Sequence, residues 1–402
     1  MAHVVVIGAG QAGSSCVAKL RNGGYEGKVT LIGAEPVPPY QRPPLSKAYL
    51  LGEMALERLF LRPEAFYSDN QIDLRLDARV DAIDATAQTI TLGDEVIAYD
   101  DLVLTTGSIP RRLPASIGGD LEGVHVVRDL ADVDAMGPRF TESAKVLIVG
   151  GGYIGLEAAA VASKLGLKVT LVEAADRILQ RVAAPETSDF FRKLHSGHGV
   201  DLREGVGLDQ LLGEHHVVGA KLTDGSEIEA DFVIAGVGIL PDIALAEAAG
   251  LEIENGIKVN AQGQTSVAHI WAAGDCTSFP YRDGRIRLES VPNAIDQAEV
   301  VAANIMGADM AYLAKPWFWS DQYDVKLQIA GLNTGYDRVV TRVTDADSVA
   351  FWYYRGDTLL AVDAMNDPRG YMVGKLLIEG GKSPAPEIVA NPETDLKALL
   401  KA

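Results

Sequence analysis

Two stretches limit what this chain can fold into: HVVVIGAGQAG near the start and KVLIVGGGYIG further on. Each runs from β-branched apolar residues through closely spaced glycines into a helix-forming segment. In a G-x-G-x-x-G turn, the glycines let the chain reverse tightly after a strand. They also bring the backbone against a pyrophosphate, which the free N–H groups of the following helix can hold. The first copy supplies Gly8, Gly10 and Gly13, with Ala12 inside the turn; the second supplies Gly150, Gly152 and Gly155, with Tyr153 and Ile154. A second strand follows each, KVTLIG and KVTLVE, and a carboxylate lies at or just past its end: Glu35 and Glu173. That is where ribose hydroxyls are bound; Ala34 is uncharged, so the first contact falls to Glu35. One such motif is also compatible with an empty glycine turn. Two, each inside a β-turn-α-β unit closed by an acid, predict two Rossmann-like nucleotide domains in an α/β chain.

Other segments place the boundaries. YDDLVLTTGSIPR, with Thr106 and Gly107, and ADFVIAGVGILPD, with Gly236 and Gly238, are apolar strands that each end in a Gly/Pro turn and close one half. A helix is expected from Leu156 to about Leu165, and another after Pro292. From about Ala311, KPWFWSDQY leads into VKLQIAG, RVVTRVT, SVAFWYY and TLLAVDAM, whose alternation predicts an antiparallel sheet. LIEGGKSPAPEIV reads as a loop. The expected domains are 1–110 with 243–317, 111–242, and a smaller mixed α+β domain over 318–402.

Composition excludes several classes. A net charge of −19 over 402 residues opposes nucleic acid and anionic membrane surfaces as partners. No apolar run approaches the roughly 18 residues of a membrane span. The first strand begins at His3, leaving no room for a leader, and only Cys16 and Cys276 are present. Two distant thiols form no disulfide framework, so a reducing cytoplasm is expected. The seven histidines show no ligand spacing, and no metal is assigned.

The stretch PPYQRPPLSKAYL, residues 38–50, packs four prolines around Arg42 and Lys47. Proline fixes φ and removes a donor, so this reads as a stiff segment that is neither strand nor early helix. IWAAGDC delivers Asp275 at a glycine turn, suited to the ribityl hydroxyls of a flavin. ESVPNAIDQA then opens a helix whose N–H groups face developing negative charge. Glu173 disfavours a 2′-phosphate and points to NADH, with Arg177 nearby acting against that preference.

In order and spacing, GAGQAG, PPYQRPPLSK, TTGSIPR, GGGYIGLE, GVGILP, AAGDC, ESVPNAIDQA and PWFWSDQY resemble the FAD-dependent NADH:ferredoxin reductases of the putidaredoxin reductase type. These serve monooxygenases and ring-hydroxylating dioxygenases. The resemblance implies a glutathione-reductase-like flavoprotein architecture. It also implies FAD contacts at Ala12, Lys47, Val80, Arg128, Asp275 and Val291, with Lys47 near the reactive edge of the flavin. Glu157 matches the carboxylate beside the nicotinamide, and Trp319 the aromatic between flavin and ferredoxin. Relatives of this architecture that act on disulfides carry a cysteine pair where residues 38–50 stand, and here that stretch has no sulfur. Hydride from NADH should therefore leave as single electrons to a 2Fe-2S ferredoxin that supplies an oxygenase. The enzyme is expected to be a monomer or weak homodimer.

Plainer readings stand beside these. Lys47 also fits a solvated lysine, and Glu157 a helix carboxylate paired with a surface cation. Trp317 and Trp319 are read as one core and one exposed residue. A basic patch drawn from Arg42, Lys326, Arg338 and Arg369 is expected to receive an acidic ferredoxin. Other functions weighed are an NADH oxidase or peroxidase, which would need a cysteine near the flavin, and a non-catalytic NADH-sensing flavoprotein.

Overall fold

The computed structural model describes residues 2–401. The chain forms two compact units. The first comprises the stretch up to Arg42 with Ala55–Ile109 and Ile239–Pro316; the second comprises Pro43–Met54, Pro110–Gly238 and the chain from Trp317 onward.

The first unit is built on a parallel sheet in the order Ile270–Ala272, Asp101–Leu104, His3–Ile7, Lys28–Ile32, Ile72–Arg75. The central strand, HVVVI, is apolar without alternation because both its faces are covered. Val4 and Val6 join Cys16, Val17 and Leu20 of the helix Gln11–Asn22 in one core. Val5 and Ile7 enter a second core with Ile90, Ile97 and Leu102. The helix Val291–Ile305 packs beside Gln11–Asn22. It begins two residues earlier than the sequence suggests: Ser290 caps it and Pro292 fits within the first turn, where its missing N–H costs nothing.

The second unit repeats the plan: Asp201–Glu204, Lys168–Glu173, Lys145–Val149, Phe232–Ala235 and Val124–His125 form a parallel sheet in that order. Its glycine turn leads directly into the helix Tyr153–Lys164, three residues ahead of the expected start, because Gly152 already has the extended conformation of an N-cap. The fold class expected from the sequence stands.

Five antiparallel strands follow in the same unit, ordered Trp317–Gln322, Val325–Gly331, Thr358–Met365, Ser348–Arg355 and Arg338–Asp345. The helix Pro368–Glu379 lies on this sheet, over a core containing Trp352, Tyr354 and Val362. Two local expectations are corrected here. Residues 377–379 of the segment read as a loop complete that helix, and Pro386–Ala390 is a further short helix rather than loop. For the second the reason is tertiary: the Arg342 guanidinium donates to the carbonyls of Val389, Asn391, Pro392 and Thr394 and ties down its C-terminal end. Trp317 and Trp319 are both half-buried, with ring centroids 5.6 Å apart. Residues two apart on a strand share a face, and of the two it is Trp317 that packs against the core of this sheet.

The proline stretch also departs from expectation, since Pro43–Ser46 is one turn of 3-10 helix. Proline's fixed φ suits a first helical turn, where its absent N–H has no partner to lose. No helix among the described residues is long and apolar enough to cross a membrane.

Candidate functional site: two open glycine cradles and a buried carboxylate

Each glycine turn has the same division of labour. Gly8 has φ +112, and a Cβ there would stand 2.2 Å from the carbonyl oxygen of Thr105. At Gly13 a Cβ would stand 2.0 Å from the carbonyl oxygen of Gly8. Those two positions must be glycine for the chain to close the turn. At Gly10 nothing lies within 4 Å of where a Cβ would be. In the second unit, Gly150 has φ +108 and would clash with the Gly236 carbonyl at 2.4 Å, and Gly155 with that of Gly150 at 2.1 Å, while Gly152 again faces open space. The middle glycines therefore line cradles that a methyl would begin to fill. Both open onto helix N-termini, at Gln11 and Tyr153, whose first N–H groups lack helical partners. A dinucleotide pyrophosphate fits this donor set in each unit.

Around the first cradle, Glu35 accepts a hydrogen bond from Tyr40 Oη at 2.5 Å and pairs with Arg42 Nη2 at 2.5 Å. The Arg42 guanidinium also lies over the Tyr40 ring. Asp275 is half-buried, 3.3 Å from Ser108 Oγ, and follows Gly274 (φ +86), whose N–H is held by Gln297 Oε1. Thr106 and Gly107 form the turn that holds Asp242: Thr106 Oγ1 donates to its carbonyl and the Gly107 carbonyl accepts its N–H. Val291 opens the Ser290-capped helix, and the Val80 side chain is packed into the core beside Ile90 and Ile97. These positions fit the adenosine, ribityl and ring ends of FAD.

Around the second cradle, Glu173 accepts from the N–H groups of Gly151 and Ala175, at 2.7 and 2.8 Å. It thus holds the glycine turn as well as presenting a carboxylate. Arg177 is directed elsewhere, donating to Ser188 Oγ and to the carbonyl of Ala183. Tyr153 is half-buried, its hydroxyl is sealed from solvent with no partner among the described residues, and its ring lies against Phe318. Ile154 is 42% exposed. Gly236 and Gly238 (φ +99) follow the strand Phe232–Ala235, and the Gly238 carbonyl accepts the N–H of Arg111. An exposed isoleucine at a helix N-terminus is what a nicotinamide nucleotide would cover.

Glu157 lies one turn into that helix and is buried. Lys47 Nζ stands 2.6 Å from its Oε2, Ser46 Oγ donates to Oε2 at 2.7 Å, and Ser320 Oγ donates to Oε1 at 2.7 Å. Neither plain reading of this pair applies. Lys47 is not a solvated lysine, nor is Glu157 matched with a surface cation; the two close on each other away from water. The prolines of the 38–50 stretch shape the turn that carries Ser46 and Lys47 to the carboxylate. Its two cations thus serve different carboxylates, Arg42 in the first unit and Lys47 in the second. Arg128, also in the second unit, precedes the helix Leu130–Met136 and donates its N–H to Asp132. Trp319 stands in the strand Trp317–Gln322, between Phe318 and Ser320.

Sequence reasoning missed Ser46, Ser320 and Gln322. A serine beside a known site residue is a weak signal, and their partner lies 111 and 163 positions away for Ser46 and Ser320. Of the cations expected in a basic patch, Arg338 pairs with Glu387 and Arg42 with Glu35. Both cysteines are fully buried, and burial pushes their thiols up to about 12 for Cys16 and about 11 for Cys276. Neither is a thiolate near neutral pH. Among the described residues, no group of three His, Cys, Asp or Glu side chains is arranged to hold a metal ion.

A twofold dinucleotide fold with an antiparallel C-terminal sheet defines a class. The chain belongs to the pyridine nucleotide-disulphide oxidoreductase family, whose model matches residues 2–298; a reductase C-terminal model matches 317–400. The family's members related to this chain contain FAD and use NAD(P)H. Within the family, the chain is 45% identical to a ferredoxin–NAD(P)(+) reductase of a Sphingomonas species, over 94% of this chain and 92% of that one. It is 40% identical to rhodocoxin reductase of Rhodococcus erythropolis, over 99% and 94%. The crystal structure of the covalent putidaredoxin reductase–putidaredoxin complex contains a chain that superposes with a TM-score of 0.96 at 38% identity, covering 100% of this chain and 98% of that one.

Proposed function

We propose that this protein is an NADH-dependent FAD flavoprotein that reduces a 2Fe-2S ferredoxin, which in turn supplies a cytochrome P-450-type monooxygenase or a ring-hydroxylating dioxygenase. When bound, FAD supplies the junction between a two-electron hydride donor and a one-electron acceptor. The chain's own residues bind and orient. Gly10 and its helix hold one pyrophosphate, and Asp275 the ribityl side of the same coenzyme. Gly152 and the Tyr153 terminus hold the other dinucleotide, and Glu157 presents a buried, hydrogen-bonded carboxylate one turn further in. Lys47 supplies positive charge beside that carboxylate. Trp319 lines the exit toward the acceptor. NADH is preferred over NADPH because Glu173 offers a carboxylate where a 2′-phosphate would lie, while Arg177 is engaged with Ser188 and Ala183.

The observation that carries this reading is the pair of open cradles in a chain whose two thiols are both sealed. A reductase of this family without a reactive thiol has no route for passing electrons as a dithiol, and the buried cysteines equally disfavour a peroxidase. The acceptor class is that of the relatives' activities, and two free thiols suit a cytoplasmic protein; a monomer or weak homodimer is the assembly proposed. Anaerobic titration of the yellow holoprotein tests the proposal. NADH should bleach it, NADPH should do so poorly, and a 2Fe-2S protein should restore the colour while becoming reduced itself. A preparation that holds no flavin, or one that NADH bleaches but no 2Fe-2S protein re-oxidises, would reject it.

A further inference from the structure

Behind Glu157 a line of polar side chains leads out through the second unit. Ser320 Oγ donates to Glu157 Oε1 at 2.7 Å, and Gln322 Nε2 donates to Ser320 Oγ at 3.2 Å. Gln322 Oε1 lies 2.8 Å from His195 Nε2, and His195 Nδ1 lies 3.3 Å from Tyr323 Oη. The ring of exposed His198 stacks on Tyr323 with centroids 3.6 Å apart. Ser320, Gln322 and His195 are all buried. None of these contacts belongs to the sheet's own hydrogen bonding, and beyond the Ser320–Glu157 bond the FAD and nicotinamide assignments above use none of them.

The direction of the line can be worked out from its donors and acceptors. Because the Gln322 amide nitrogen points to Ser320, its oxygen faces His195 and must accept, so His195 Nε2 carries the proton. His195 Nδ1 is then an acceptor for the Tyr323 hydroxyl. Burial lowers the imidazole to about 4, so the ring is neutral through the working range and keeps a single tautomer. Every bond therefore runs the same way, from the half-buried phenol of Tyr323 to the carboxylate, and each donor is held by the one behind it. Such chains polarise cooperatively, and a hydroxyl locked by its own donor cannot rotate away from the anion it serves.

We propose that Gln322, with Ser320 and His195, is a positioning residue for hydride transfer: this one-way line fixes the rotamer of the Glu157 carboxylate that faces the nicotinamide. The proposal rests on the reading that Glu157 acts at that step. Lys47 and Ser46 hold one carboxylate oxygen, and the Gln322 line holds the other, so the group is clamped from two sides.

The test compares FAD-loaded Ser320→Ala, Ser320→Thr, Gln322→Met and Glu157→Gln with the unaltered protein. Stopped-flow reduction by NADH gives the limiting rate, thermal melting gives stability, and long-range 1H–15N NMR gives the tautomer of His195. Ser320→Ala and Gln322→Met should each lower the limiting rate roughly tenfold, since a small misplacement of a reacting group costs that much. Ser320→Thr, which keeps the hydroxyl, should stay within about twofold. The unaltered protein should show His195 protonated at Nε2, and Gln322→Met should lose that fixed preference. A lower melting temperature with the limiting rate intact in both Ser320→Ala and Gln322→Met, while Glu157→Gln slows reduction, overturns the inference alone. An Nδ1-protonated His195 overturns it too. If Glu157→Gln also reduces at the normal rate, the assigned role of Glu157 fails and the positioning role fails with it.

Discussion

Lys47 Nζ and Glu157 Oε2 stand 2.6 Å apart, with the two side chains only 18% and 5% exposed. Burying either charge alone is costly, and the pair persists because each offsets the other while Ser46 and Ser320 satisfy the remaining lone pairs of the carboxylate. Breaking such a pair from one side is worse than removing both charges. Lys47→Met should therefore destabilise the protein by about 3 kcal/mol, with Lys47→Met combined with Glu157→Gln recovering much of the loss. Thermal or denaturant melts of the two variants decide it; equal stabilities would show that the pair is not coupled.

The middle glycines separate binding from folding. Gly10→Ala and Gly152→Ala add a methyl that meets no protein atom within 4 Å, so melting of the ligand-free chain should hardly change. Gly10→Ala should emerge with little FAD, whereas Gly152→Ala should keep its flavin and bind NADH at least tenfold more weakly (about 1.4 kcal/mol). Flavin absorbance of the purified variants and NADH titrations measure both. Gly13→Ala, by contrast, should not accumulate as folded protein, because its Cβ would stand 2.0 Å from the Gly8 carbonyl.

With both thiols sealed and raised to about 12 and about 11, alkylating reagents should leave the native protein unlabelled and fully active. Both cysteines should react once the chain is unfolded in guanidinium. A Cys16→Ala, Cys276→Ala double variant should still transfer electrons from NADH. Rapid labelling of the native state, accompanied by inactivation, would contradict the sealed-thiol structure.

Two buried groups make opposite contributions to stability over the same range of pH. His195 is lowered to about 4 by burial, so its contribution is present above the ordinary 6.5 and is lost as pH falls toward 4, because the unfolded chain takes up the proton first. Asp363 is raised to about 6 by burial, and its contribution is present below 3.8 and lost as pH rises toward 6. It is held by Tyr353 Oη at 2.5 Å and Thr187 Oγ1 at 2.8 Å, and its other oxygen has no partner among the described residues. Asp363→Asn should therefore raise the melting temperature at pH 8, with the gain shrinking as the pH is brought down to 4. Melting curves of the two proteins across that range test it, and a gain that does not vary with pH would refute the assignment.

Much of the fold was legible because its signals are local. Gly8 and Gly150 must take positive φ, HVVVI must be covered on both faces, and a strand–glycine–helix order leaves few other arrangements. Glu35 and Glu173 were read from their spacing to those turns, and Asp275 from the glycine turn of IWAAGDC. The helices at Pro368–Glu379 and Pro386–Ala390 were less legible, since the second is tied down by Arg342 from another strand.

The sequence alone determined two dinucleotide folds, their glycine cradles, and the lack of a thiol pair beside the first one, because each depends on backbone geometry or composition within a few residues. Only the tertiary structure decided which groups Glu157 meets. Ser46, Lys47 and Ser320 converge on it from more than a hundred residues away, with Gln322 and His195 behind them. A buried charge is set by whatever the fold packs around it, and no local pattern records that.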